Sequence, residues 1–298
     1  MTQASQKIKR SALLLVRAFG KASWLPEGLR RRFVNQLFPL QKAPHESFTV
    51  KFRGNSIFLQ LDDFIDNRIF FYNKYEEAEL DFIRFAAQRY GCGFAVDIGA
   101  NSGIHTIEMS RVFRHVQAFE PLPSVREKLL KRLDDNGVSN VTVFDFALGS
   151  EEGRFDYYVD TESMNRGMGS FDRAHNAAGV VVDAFEVRRG DEVFDSTQEI
   201  IDFIKIDVEG WEPEVLIGLI GTIGRCAPVL MFELTKSSVN RPSFNEAFDR
   251  LKAEGYNFYF IKHNSKKFQR YSFDLLSVRS LEPAIGGSNY VAIPKDSA

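Results

Sequence analysis

Five acidic side chains stand where short apolar runs end: Asp97, Glu120, Asp145, Asp207 and Glu233. If those runs are parallel strands, their carboxyl ends share one edge of a sheet and the acids converge on one crevice. Asp97 leads into Ile98-Gly99-Ala100-Asn101-Ser102-Gly103, where two glycines permit a sharp turn and the close approach of a ligand. A strand that turns on glycines into a helix directs backbone N–H groups and the positive end of the helix dipole at one spot. Glu120 follows Asp97 by 23 residues, a spacing (roughly 20) from which an acid grips ribose hydroxyls. Asp145 and Phe146 could bond and cover an adenine ring, although a plain turn before Leu148-Gly149 reads equally well.

The order of these residues selects among nucleoside ligands. Dinucleotide sites read G-x-G-x-x-G. Here an acid precedes the glycines, as Asp97-x-Gly99-x-Asn101-x-Gly103, and would repel a pyrophosphate. A cationic amino-acid tail would be attracted instead. S-adenosylmethionine has such a tail, with an α-amino group for Asp97 and a carboxylate for N–H groups near Gly99 to Gly103.

The elements that must position these groups alternate between strand and helix. Gly93-Phe94-Ala95 reads as the end of a buried strand that closes at Asp97, and Val116–Phe119, Val141–Phe144, Ile200–Ile206, Val229–Phe232, Tyr256–Ile261 and Tyr290–Ile293 read as strands. Helical stretches separate most of them, including one from Ser124, where Ser-x-x-Glu has the form of a capping box. This pattern predicts an α/β fold with a mostly parallel seven-stranded sheet and helices on both faces. Arg154–Asp160 and Val180–Val187 read as added strands, and the polar, glycine-dotted loop 161–178 between them as a candidate lid. Tyr75–Tyr90 reads as a helix. Ahead of it, residues 1–74 form an expected N-terminal extension, with a catalytic domain over 75–298. The extension contains a hairpin around Gly54-Asn55 and two basic amphipathic helices. In the first, Ile8, Leu15 and Phe19 share a face widened by Leu13 and Leu14; in the second, opened by Pro26, Leu29, Phe33 and Leu37 recur beside Arg30-Arg31-Arg32.

Charge is unevenly distributed over the 298 residues. The chain carries a net charge of −2, so no global basic field calls for nucleic acid. Residues 1–42 hold nine Lys/Arg and one acid, which leaves a net of −10 on the rest. Such an arm suggests peripheral contact with an anionic membrane, or packing on the body or a second subunit. Two cysteines suggest neither a disulfide framework nor a zinc site, and no apolar run reaches membrane-spanning length, so a cytoplasmic protein is expected.

The blocks Val96–Thr106, Phe119-Glu120-Pro121, Asn140–Ala147 with Gly153, and Ile204-Lys205-Ile206-Asp207-Val208-Glu209-Gly210 resemble FkbM-type methyltransferases. The resemblance covers about residues 75–293 and is most specific at Lys205–Gly210. It implies a class I, Rossmann-like methyltransferase that uses S-adenosylmethionine, with a sugar, glycolipid, polysaccharide or polyketide hydroxyl as acceptor. Carried over, Asp97, Gly99, Ala100, Asn101, Gly103 and Glu120 would bind the cofactor, and Lys205, Asp207 and Glu209 would face the reacting centre. A hydroxyl acceptor needs a general base, for which Asp207 ranks first, with Glu209 and Glu233 as alternatives. No metal is expected, although Asp207 and Glu209 could hold one. An N-methyltransferase acting on protein or nucleic acid, and a binding module without catalysis, are the alternative readings.

Overall fold

The computed structural model describes residues 3–22, 24–39, 45–159, 169–171, 180–195, 199–264, 270–281 and 288–295. These fall into two compact units, one ending at Tyr75 and the other beginning at Glu76.

The first unit contains α1 (Gln3–Gly20), α2 (Glu27–Leu37), β1 (Ser47–Phe52), β2 (Asn55–Gln60) and α3 (Phe64–Tyr72). β1 and β2 pair antiparallel around Arg53-Gly54, both at positive φ (48° and 85°), so the turn lies one residue earlier than expected. α3 has no sequence signal, because apolar residues cover it without a period. Asp63 caps it by accepting from the Asp66 N–H. The apolar stripes of α1 and α2 are not the faces expected. α1 buries Leu13 and Val16 and leaves Leu15 74% exposed. α2 leaves Leu29, Phe33 and Leu37 exposed and buries Arg30 with Val34.

The second unit begins with α4 (Glu77–Arg89). There follow β3 (Phe94–Ile98), α5 (Ile104–Ser110), β4 (His115–Phe119), α6 (Pro123–Asp135) and β5 (Val141–Phe144). Pro123 occupies the first turn of α6 after Leu122, and no side chain caps it, so the expected capping box at Ser124 does not form. Then come β6 (Ala147–Gly149), β7 (Gly153–Val159), β8 (Gly169–Ser170), β9 (Val180–Arg189) and α7 (Gly190–Phe194). The chain continues with β10 (Ile201–Ile206), α8 (Glu212–Gly218), α9 (Ile220–Cys226), β11 (Val229–Leu234), α10 (Lys236–Asn240) and α11 (Phe244–Ala253). It closes with β12 (Tyr256–His263), β13 (Phe273–Ser277) and β14 (Ser288–Pro294).

The main sheet has eight strands in the order β13-β12-β14-β11-β10-β3-β4-β5. It is mixed, which corrects the expected seven-stranded, mostly parallel sheet. β3, β4, β5, β10 and β11 pair parallel, whereas β14 inserts antiparallel between β11 and β12, and β13 adds antiparallel outside β12. β13 escaped prediction because Phe273-Asp-Leu-Leu-Ser lacks alternation and forms only an edge. β6, β9, β7 and β8 make a second, four-stranded sheet, so the two added strands are present. Most of the predicted lid lies outside the described residues. The core is built from Val96, Ile98, Ile204, Ile206, Leu230 and Phe232, on strands buried on both faces. Among the described residues, no helix is long and apolar enough to cross a membrane.

Candidate active site

The parallel register of β3 and β10 puts Asp97 opposite Lys205. Lys205 Nζ lies 3.3 Å from Asp97 Oδ1 and 3.3 Å from Asp207 Oδ2, and donates to the Gly99 carbonyl at 3.2 Å. Burial alone would lower the ammonium's pKa, but Asp97 and Asp207 outweigh it and hold Lys205 charged, above the ordinary lysine range. Asp97 is fully buried, and its Oδ2 also accepts from Thr106 Oγ1 at 2.6 Å. It lines neither of the cavities described below. The carboxylate expected to grip the cofactor's amino group holds Lys205 instead.

The turn after β3 uses up its own donors. Gly99 and Ala100 both donate to the Phe119 carbonyl, at 3.1 and 3.0 Å. Asn101 N–H donates to Glu120 Oε2 at 2.9 Å, Ser102 N–H to Asn101 Oδ1 at 2.6 Å, and Gly103 N–H to Ala100 O at 3.0 Å. No N–H from 99 to 103 is left for a carboxylate tail, contrary to expectation. The glycines have a different reason too. A Cβ on Gly99 would lie 1.9 Å from the Asp207 carbonyl oxygen, and one on Gly103 2.3 Å from Leu129 Cδ1, both at positive φ. Their missing side chains admit the backbone that follows β10 and the Leu129 side chain of α6.

A cavity of about 530 Å³ opens beside this turn. Gly99, Asn101 and Glu120 line it from one side, and Asp207 and Glu209 from another. Phe119, Leu148, Tyr157 and Trp211 supply apolar walls. Glu120 is buried, and its Oε1 accepts from Leu122 N–H at 2.9 Å. Burial pushes its carboxyl up to about 7 against the pull of those N–H bonds, Arg126 and Lys205. Burial likewise raises Tyr157, with Glu120 and Glu209 adding to it, so the phenol keeps its proton. Ala100 and Gly103 shape the turn without lining the cavity. Asp145 and Phe146 do not line it either. Asp145 is exposed, and Phe146 turns into the core against Phe119 and Phe144. The strand ends at Phe144, and Ala147 and Leu148 reach the cavity in their place.

Asp207 also lines a second cavity, of about 290 Å³, with Glu76, Glu79, His105, Lys205, Glu233 and Asn289. His105 Nε2 stands 3.2 Å from Glu76 Oε2. Burial, then repulsion by Asp207, Glu209, Glu212 and Glu76, pushes Glu233 up to about 10. Burial and Glu76 push Glu79 up to about 7. Between the cavities, carboxylate oxygens of Asp207, Glu209 and Glu233 lie within 4.8 Å of one another, an arrangement able to share a divalent cation. Three of the four predicted catalytic residues therefore meet, with Lys205 behind them.

The turn that carries Asp207 and Glu209 is built by Glu212, which sequence reasoning missed. Its buried carboxylate accepts from Val208 and Gly210 N–H groups at 3.1 Å and from Ser238 Oγ at 2.5 Å. That network holds Glu209 at φ 53°, a strained conformation for a residue with a side chain. Glu76, Glu79, Asn289 and Tyr157 were also missed. Glu76 and Glu79 come from the start of α4, Tyr157 from β7 and Asn289 from β14, and no local pattern marks them. An acid in a first helical turn just after a glycine was the one available signal for Glu212.

The first cavity fits S-adenosylmethionine. Glu120 offers acceptor oxygens to a ribose diol, the apolar walls suit an adenine, and Asp207 and Glu209 complement a cation. Trp211 Nε1 is a buried donor with no partner among the described residues, as expected where a ligand acceptor completes the site.

Comparison with known proteins agrees. The family model described as the methyltransferase FkbM domain matches residues 97–258, more than half of the chain. Methyltransferase 1 of Beauveria bassiana is 28% identical over 144 residues, 42% of this chain and 58% of the relative. The chain thus spans little more than half the length of the curated relative it matches. Among solved structures, an FkbM methyltransferase from Methylobacillus flagellatus aligns at 21% identity and a TM-score of 0.42, over 67% of this chain and 43% of that one. A putative methyltransferase from Streptococcus mutans in complex with SAH aligns at 11% identity and 0.41, over 74% and 98%. The chain belongs to the FkbM methyltransferase domain family, and S-adenosylmethionine is its cofactor.

Proposed function

We propose that the protein methylates a hydroxyl group of a polyhydroxylated acceptor, such as a sugar, glycolipid, polysaccharide or secondary metabolite, with Asp207 as general base. One observation carries this reading: among the described residues, Asp207 is the one that lines both cavities. The first cavity would hold the cofactor through Glu120, Trp211 and the acids, and the second would hold the acceptor. When bound, S-adenosylmethionine supplies a methyl group already activated on a sulfonium, which leaves the chain to orient the acceptor and take its proton.

Lys205 fixes the Asp207 carboxylate through the 3.3 Å ion pair, and Asp207 receives the hydroxyl proton. Glu233, pushed up to about 10, keeps its own proton at neutral pH and donates an O–H to an acceptor oxygen. Asn289 and Glu79 add further polar partners for a polyol. The Glu76 and Asp207 carboxylates of this cavity repel a phosphate backbone, which argues against a nucleic acid acceptor. An amine acceptor also suits carboxylates, so product analysis must separate O- from N-methylation.

Asp207→Asn tests the reading. Turnover with a glycan or glycolipid acceptor should fall by about 100-fold or more, while calorimetry should find S-adenosylmethionine affinity nearly unchanged. Normal turnover in the variant would place the base elsewhere. Mass spectrometry of glycolipids and polysaccharides from a deletion strain should reveal a species lacking one methyl group; methylated amines as the product would replace the hydroxyl reading.

A further inference from the structure

α2 buries Arg30 beside Val34 and leaves Leu29, Phe33 and Leu37 outward, an unusual face for a helix that merely packs. Arg30 is 5% exposed, and its Nη1 donates to the Gly20 carbonyl at 2.9 Å. Its Nε is buried and has no hydrogen-bond partner among the described residues. A buried guanidinium that keeps a donor unused is costly unless something accepts from it. Arg30 lines a cavity of about 260 Å³ in the first unit, together with Arg31, Arg68, Tyr72, Lys74 and Glu27. Four cations thus face one carboxylate in one concave site.

We infer that this cavity binds a phosphate group. The arginine fork matches phosphate oxygens, and three guanidiniums from two helices approach from different directions. Arg68 lies over the Phe64 ring at 5.6 Å, which limits where its guanidinium can swing. Tyr72 adds a hydroxyl donor; burial raises its pKa although Arg31, Arg68 and Arg30 pull the other way, so the phenol stays protonated. The cavity lies wholly within the first unit and does not rest on the methyltransferase reading. The phosphate belongs either to a lipid headgroup or to a soluble phosphate ester. Leu29 and Phe33, exposed on the same helix, let experiment separate the two sources.

The test uses the full chain, with inorganic phosphate in calorimetry and vesicles of phosphatidylcholine with or without phosphatidylglycerol in cosedimentation. Wild type should bind phosphate saturably. Arg31→Gln with Arg68→Gln should weaken that binding by about tenfold or more, while Lys at both positions retains most of it. S-adenosylmethionine affinity and the thermal midpoint should not change. Arg31→Gln alone, at an exposed position, gives the same direction if the double variant folds poorly. A lipid source predicts retention on phosphatidylglycerol vesicles that Leu29→Glu with Phe33→Glu abolishes without loss of phosphate binding. Phosphate binding with no preference for those vesicles assigns the cavity to a soluble ester. Failure to bind either probe, or binding that both arginine variants leave intact, overturns the inference.

Discussion

At the scale of single residues, the site depends on which of its acids are spoken for. Asp97 and Asp207 lie on either side of Lys205, but Asp97 is sealed in and Asp207 is part-exposed, so only the latter can meet a substrate. Removing the ammonium would leave Asp97 buried without its counter-charge, a loss of about 3–5 kcal/mol in comparable pairs. Of the acids that line the first cavity, Glu120 is the one pushed within reach of ordinary buffers. Burial holds it near 7, and a ribose diol donates best to the ionised form. S-adenosylmethionine affinity should therefore rise as pH increases through about 7, and Glu120→Gln should lower the affinity and flatten the profile. Calorimetry across that range checks this; an unchanged slope in the variant would remove Glu120 from the cofactor site.

Elements meet at the turn after β3, where two glycines make room for other parts of the chain. At Gly99 the obstacle to a Cβ is the Asp207 backbone carbonyl, which has nowhere to go. At Gly103 it is the tip of Leu129, a flexible side chain on α6. Both positions also carry positive φ, at 75° and 85°. Gly103→Ala should cost about 1–3 kcal/mol in denaturant unfolding, and Leu129→Ala in the same chain should recover part of the interaction through a favourable coupling. Gly99→Ala should cost more and find no such partner. Equal, uncoupled losses would mean that backbone strain alone decides both.

For the molecule as a whole, several buried glutamates tie stability to pH in one direction. Glu120 and Glu212 are each raised from 4.5 to about 7 by burial, and Glu233 to about 10. The folded state therefore holds protons that the unfolded chain has already released above 4.5. Their contribution to stability is full below that pH and lost as pH rises through the folded values. The thermal midpoint of the cofactor-free protein should fall between about pH 5 and pH 8, and added S-adenosylmethionine should restore part of it. A midpoint that rises over the same range would show that these carboxyls are ionised and compensated.

Much of this architecture is written locally. The strands β3, β4, β10 and β11, the glycine turn, and the acids at their ends follow from short apolar runs and from residues that break them. The Lys205–Gly210 block already pointed to the FkbM family. Other features had no local sign. Asp97 turned inward because the register sets it against Lys205, over a hundred positions away. Asp145 and Phe146 missed the cavity because their strand ends at Phe144. The second cavity draws Glu76, His105, Asp207, Glu233 and Asn289 from five separate stretches of chain. Residue type and spacing determined which chemistry was present. Strand register and burial, which depend on partners distant in sequence, decided which carboxylates pair internally and which face a substrate.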